Sequence, residues 1–120
     1  MAKEKRPDWL QLVAWIDRLE DARSLDSDST ARFHTIHEFM ETLYATQVVY
    51  SFDWSKWQEV AEHLYEDPAA LRAATLSDLR KLLTVHARKD RFCDGHFEAV
   101  LDSGHLVAVL REVATRFRAP

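Results

Sequence analysis

Six histidines, one cysteine and four tryptophans are the side chains of this 120-residue chain with the most chemistry in them. His37-Glu38-Phe39-Met40-Glu41 begins like the zinc-protease pattern H-E-x-x-H, but the second ligand position holds Glu. A catalytic zinc needs three protein ligands and an open position, and this stretch does not supply them. No Glu-x-x-His pair occurs, which removes the helical di-iron pattern. Cys93-x-x-His96 is half of a zinc motif without its other half. The expectation is therefore no metal and no cofactor, with His37 a buried, hydrogen-bonded histidine and His34/Glu38 a surface i,i+4 pair. Cys93 stands beside Arg91 and just before a helix start, two features that lower a thiol pKa, with His96 close in sequence as a base. Cysteine is also among the residues most often buried, and a core or half-buried role is the expected one. Two glycines cannot build a P-loop or a dinucleotide turn, and no Ser-His-Asp set can be assembled. No catalytic residue is assigned.

Two other segments break the regular pattern. Arg88-Lys89-Asp90-Arg91-Phe92-Cys93-Asp94-Gly95-His96 places three cations before a helix start near Asp94, where free N–H groups favour an anion. The competing reading has Asp94 capping that helix and the arginines paired to carboxylates. Phe52-Asp53-Trp54-Ser55-Lys56-Trp57 sets a carboxylate among aromatics. A charge flanked by aromatics is partly desolvated and requires a partner. An Asp53–Arg91 ion pair wrapped by Trp54, Trp57 and Phe92 is the expected result.

The motifs Phe52-Asp53-Trp54-x-x-Trp57, Leu82-Leu83-Thr84 and Arg88-x-x-Arg91-Phe92-x-x-Gly95, with the ending Gly104-His105-Leu106, occur in this order. In them the chain, from about Trp9 to Leu110, resembles DUF6508, a bacterial and archaeal family of small proteins. The resemblance implies that Asp53, Trp54, Trp57, Arg88, Arg91, Phe92 and Gly95 belong together as a candidate binding set. It implies no activity, and it does not extend to His86, Cys93 or His96.

The elements that must position these residues are helices. Trp9, Leu12, Val13, Ile16 and Leu19 recur at i, i+3, i+4, i+7 and i+10. The polar run 23–30 reads as a loop in which Ser29 or Thr30 caps a second helix from about Ala31 to Val49, with Phe33, Ile36, His37, Met40, Leu43 and Tyr44 on its inner face. The β-branched, aromatic end from Val48 to Phe52 allows a short extended piece. Asp53 caps a third helix carrying Trp54, Trp57, Ala61, Leu64 and Tyr65. Asp67-Pro68 opens a short one to about Ala73. Thr75-Leu76-Ser77-Asp78 is close to a capping box and begins a helix with Leu76, Leu79, Leu82, Leu83 and His86 inward. A helix from about Asp94 ends at Gly104, and the last carries Leu106, Val109, Leu110, Val113 and Phe117. The fold class is all-α: one compact bundle of about six helices over 8–118 behind a flexible 1–7.

Composition bounds the rest. Hydrophobic residues at 47% and charged residues at 30% suit a globular chain and exclude disorder. Two glycines and three prolines are too few for an all-β chain with many hairpins. A net charge of −4 counts against general binding to phosphate backbones, so no specific nucleic acid is expected. A lone cysteine and the lack of a long apolar run point to the cytoplasm and to no membrane. The leading functional expectation is an interaction module that engages a protein partner, because aromatics exceed the needs of a small core and are favoured at hot spots. The alternatives are a binder or enzyme for a phosphate- or carboxylate-bearing small molecule at Arg88/Arg91, and an inhibitor acting through the acidic face Glu59, Glu62, Glu66 and Asp67. The oligomeric state stays open.

Overall fold

The computed structural model describes residues 7–26, 28–93 and 95–118; all but the last residue of the flexible start expected over 1–7, and the cap expected at Asp94, lie outside the described residues. Local signals set most element ends. Asp8 accepts from the Gln11 backbone N–H at 3.2 Å and opens α1 (Trp9–Val13). The expected single first helix breaks there, and α2 (Ile16–Arg23) follows. At the break the ladder tightens, Trp15 N–H donating to the Leu12 carbonyl at 3.0 Å. Tightening to an i→i−3 bond rotates the chain beyond it. Trp15 thereby joins Leu12, Leu19 and Ala22 in the interior, while Val13 and Ile16 are half-buried.

Ser29 caps α3 (Thr30–Ala45), its hydroxyl accepting from Arg32 N–H. The inner face of α3 differs from the expected one. Arg32, Phe39 and Leu43 are buried with Ile36 and Met40 beside them, whereas Phe33 is 62% exposed and His37 is exposed. Arg32 occupies the inward position because Asp102 accepts from its guanidinium at 2.5 Å and the Ala22 carbonyl lies at 3.5 Å. A buried cation with a carboxylate partner displaces the helix face that apolar spacing alone selects. α3 also stops at Ala45, not Val49. The chain turns at Gln47, a non-glycine with φ 68°, and Val49 N–H returns to the Leu43 carbonyl. Val48 and Val49 are buried in this turn, and no strand forms among the described residues.

A 3-10 turn (Trp54–Trp57) then runs into α4 (Gln58–Glu66). Asp67 accepts from Ala69 N–H and opens α5 (Pro68–Ala73), as the cap-then-proline signal requires. α6 (Leu76–Lys89) begins with a complete capping box: Asp78 N–H donates to the Thr75 hydroxyl and Thr75 N–H to the Asp78 carboxylate. α7 (His96–Asp102) follows Gly95, and α8 (His105–Arg118) follows Gly104. Both glycines have positive φ, 81° and 84°. At Gly104 an added Cβ would also meet the Arg23 guanidinium at 3.2 Å.

α8 sits at the centre, packed on α1, α2, α5, α6 and α7. Its Leu106, Val109, Leu110 and Val113 are fully buried, as the spacing predicts, but Phe117 is 41% exposed. α6 lies against α3, α4, α7 and α8, so one full turn of it is enclosed: Thr84, Val85, His86 and Ala87 are consecutively buried. The protein is all-α. The described residues form eight α-helices, close to the expected bundle of about six; the first expected helix divides in two, and α5 is the short helix expected after Asp67-Pro68. Among the described residues no helix is long and apolar enough to cross a membrane.

Candidate functional site

The two segments expected to meet do meet, through rings and not through charges. Trp54 stacks on Phe92 at 5.9 Å between centroids, with 25° between planes. Around that stack Tyr50, Ser51, Phe52, Arg88 and Arg91 complete a shallow cleft of about 280 Å³. The position of Trp54 follows from the 3-10 turn, that of Phe92 from the end of α6, where Phe92 N–H donates to the Lys89 carbonyl at 3.0 Å. Trp57 turns away from this cleft to an edge-on contact with Phe52 and a cation–π contact with Lys81.

The expected Asp53–Arg91 pair is absent among the described residues. Asp53 accepts from the Ser55 hydroxyl at 2.8 Å and faces the Lys56 ammonium at 3.5 Å, both local partners on its own turn. The 3-10 geometry brings those partners within reach before any distant one. Arg91 is exposed, and Arg88 lies over the Tyr44 ring at 5.6 Å. Gly95 belongs to a neighbouring turn, where nothing lies within 4 Å of an added Cβ; its positive φ alone calls for glycine there. The start of α7 is no open anion site either. Asp90 reaches across and accepts from Phe97 N–H at 3.0 Å, filling a donor that an anion would need.

The other chemistry-bearing candidates are also corrected. His37 is exposed and pairs with Glu41 at 3.1 Å, while Glu38 pairs with Arg18 and not with His34. Cys93 is an exposed thiol, neither core nor half-buried.

A site that the motifs do not flag lies where α4, α6, α7 and α8 converge. His86 from α6, His96 from the start of α7 and His105 from the start of α8 stand together against Tyr65 of α4. His86 Nδ1 and His96 Nε2 are 3.0 Å apart and share a hydrogen bond. His105 stacks on Tyr65 at 4.4 Å, and His86 meets both rings edge-on, at 5.7 Å from Tyr65 and 5.2 Å from His105. The Tyr65 hydroxyl is anchored 3.2 Å from the Ser103 hydroxyl. His86 and His105 each keep a buried Nε2 with no hydrogen-bond partner.

Burial is the main cause of the electrostatics here. It pushes His86 well below the ordinary histidine pKa, and His105, His96 and Lys89 push in the same direction. His105 is lowered to about 4 by burial and then by His96. His96 is lowered by burial and by Lys89, with Asp90 opposing. All three imidazoles are neutral at pH 7. Beside them opens a cavity of about 340 Å³ lined by Gln58, Ala61, Glu62, Tyr65, Glu66, Val85, His86, Lys89 and His96. A neutral, hydrogen-bonded imidazole pair at the edge of such a cavity can accept or donate hydrogen bonds without carrying charge. Among the described residues no group of three or more His, Cys, Asp or Glu side chains is placed to hold a metal ion.

The signal for this cluster is present in the sequence but diffuse. His86 and Tyr65 fall on the inward faces that spacing predicts, and His105 adjoins the buried Leu106. Nothing in the spacing of 65, 86, 96 and 105 says that these positions converge.

No curated protein matches the chain, and no solved structure matches it. A family match covers residues 4–119, nearly the whole chain; the chain belongs to the family of unknown function DUF6508.

Proposed function

We propose that this chain is a binding module that engages an acidic segment of a partner protein through the surface made by residues 50–54 and 88–92. The observation that carries this reading is the Trp54–Phe92 stack, which presents a Phe92 that is 75% exposed beside the exposed Arg91. Among the described residues neither Arg88 nor Arg91 forms an ion pair with a carboxylate. Tryptophan, tyrosine and arginine are the residues that dominate interface energies, and a ring already held in place loses little entropy on binding. Two guanidiniums beside such rings suit carboxylates, which they meet in planar, two-bonded fashion. The acidic face of α4 supports an inhibitor role less well, since Asp67 is used as a cap and Glu62 and Glu66 border the histidine cavity.

A second reading rests on the cleft of about 280 Å³ between these side chains, which suits a phosphate- or carboxylate-bearing small molecule. We assign the module to the cytoplasm, a reducing compartment in which an exposed lone thiol such as Cys93 persists. The test is quantitative affinity capture from native extract with wild type, Arg91→Glu and Phe92→Ala. Both substitutions are at exposed positions, so unchanged melting temperatures are expected together with loss of the same captured proteins. Identical capture by all three chains would refute the protein reading. Melting shifts with anionic metabolites, lost in Arg91→Glu while capture is unchanged, would favour the small-molecule reading.

A further inference from the structure

The histidine cavity lies outside the surface assigned above, and three features of it point to a ligand. The first is a cost without a structural return. His86 is only 2% exposed and keeps an unpartnered Nε2 on a helix whose other buried side chains are apolar, except for the Thr84 hydroxyl, which is hydrogen-bonded. An apolar side chain there would leave no polar atom unsatisfied. What the imidazole adds is its bond to His96, which fixes the ring of a half-buried histidine at the cavity wall. The second feature is charge placement. Glu62 and Glu66 sit one turn apart on α4, and Lys89 stands at the end of α6. All three border the same cavity, yet among the described residues none of them forms an ion pair or side-chain hydrogen bond. The third is size. A cavity of about 340 Å³ is at the small end of ligand sites, with Ala61, Val85 and the Tyr65 ring as its apolar lining.

We propose that this cavity binds a small zwitterion of the amino-acid type, its ammonium held by Glu62 and Glu66 and its carboxylate by Lys89, against the His86–His96 pair. Opposite charges that border one cavity without pairing are satisfied by a molecule that carries both complements at its two ends. The histidines, neutral at pH 7, offer hydrogen bonds to that molecule without disturbing the balance of charge. The Tyr65 ring, locked between His105 and the Ser103 hydroxyl, gives the ligand's carbon chain a rigid wall. Because the groups proposed to hold the ligand lie on α4, α6 and α7 and none belongs to the Arg91 surface, this inference stands or falls apart from it.

The test titrates isotope-labelled protein with ω-amino acids from glycine to 6-aminohexanoate, following the imidazole resonances by NMR. Butylamine and butyrate serve as single-charge controls. At least one ω-amino acid is expected to shift the His96 and His86 signals saturably while those of the exposed His34 and His37 stay in place. The controls should bind about tenfold more weakly or worse, as should Glu62→Gln/Glu66→Gln and Lys89→Gln, each losing a charge-assisted bond. The two glutamates are exposed, so their replacement leaves the fold intact, which circular dichroism checks. Absence of a saturable response to every ω-amino acid at millimolar concentration overturns the proposal. Equal binding of butylamine overturns the zwitterion class. Zinc ion that saturates at one equivalent and removes the His86–His96 bond overturns it in favour of a metal site.

Discussion

At the scale of single residues, the buried polar side chains carry the sharpest consequences. The three clustered imidazoles stay unprotonated in the folded chain at pH values where the unfolded chain takes up protons. The sign follows from linkage: their contribution is fully present above about pH 6.5 and declines as pH falls toward the folded-state values, about 4 for His105. For His105 alone the eventual loss is on the order of 3 kcal/mol. Urea unfolding at a series of pH values should show stability falling below pH 6.5, with a shallower fall in His105→Phe. An identical pH dependence in that variant would refute the assignment. Arg32 is the second case. Its guanidinium is buried while its partner Asp102 is half-exposed, so the two are not equivalent. Asp102→Ala leaves a buried, uncompensated cation and should cost toward the low end of about 3–5 kcal/mol, given partial solvent screening of the carboxylate. Arg32→Met removes the charge with the need for its partner, and should cost clearly less. Chemical denaturation of the two variants would show the order, and the reverse order would mean that the pair is not what holds Arg32 inside.

Among the elements, α6 has the most to do. Its capping box starts it, its centre supplies Leu79, Leu82 and Leu83 to the core, and its end presents His86, Arg88 and Lys89 to two different sites. Thr75→Ala removes the side-chain acceptor for Asp78 N–H and should cost ~1 kcal/mol, whereas Ser77→Ala, at an exposed position in the same first turn, should be nearly neutral. Equal effects of the two in urea would show that the cap adds nothing here. The end of α5 shows a different device. The Arg116 guanidinium of α8 donates to the carbonyls of Ala74, at 2.6 Å, and of Arg72, so one side chain satisfies a helix end that has no glycine. Arg80 acts likewise on the turn after α3, donating to the Val48 and Gln47 carbonyls at 3.1 and 2.7 Å.

For the whole molecule, the charge is unevenly spread although its sum is −4. Arg80, Lys81, Arg88, Lys89 and Arg91 lie on α6 and the turn after it, next to the exposed aromatic rings, whereas Glu59, Glu62 and Glu66 line α4. So small a basic patch on an acidic protein neutralises few phosphates. Fluorescence anisotropy with a labelled DNA duplex should show no binding at ~150 mM salt, where the screening length is short. Tight binding that persists at that salt, and is lost in Arg88→Glu/Arg91→Glu, would show that the patch outweighs the net charge.

The helices were legible in the sequence because their causes are local. The apolar spacing of Leu79, Leu82 and Leu83, the caps at Asp8, Ser29 and Asp67, the box at Thr75 and Asp78, and the left-handed Gly104 each act within a turn or two of chain. Those interactions do not depend on what packs alongside, so the all-α class and most helix ends follow from the sequence alone. The nearness of the 52–57 and 88–92 segments was legible too, through motifs and not through physics. The rotation of α3 was not: Arg32 faces inward and Phe33 outward because Asp102, seventy residues on, supplies a partner that no window of sequence contains. The same holds for Asp53, which satisfied itself with Ser55 and Lys56 once the 3-10 turn put them closer than Arg91. The histidine cluster is the extreme case. Tyr65, His86, His96 and His105 come from four helices, and only the docking of those helices around α8 and α6 decides that their rings touch, since contact between distant residues is a property of packing and not of spacing.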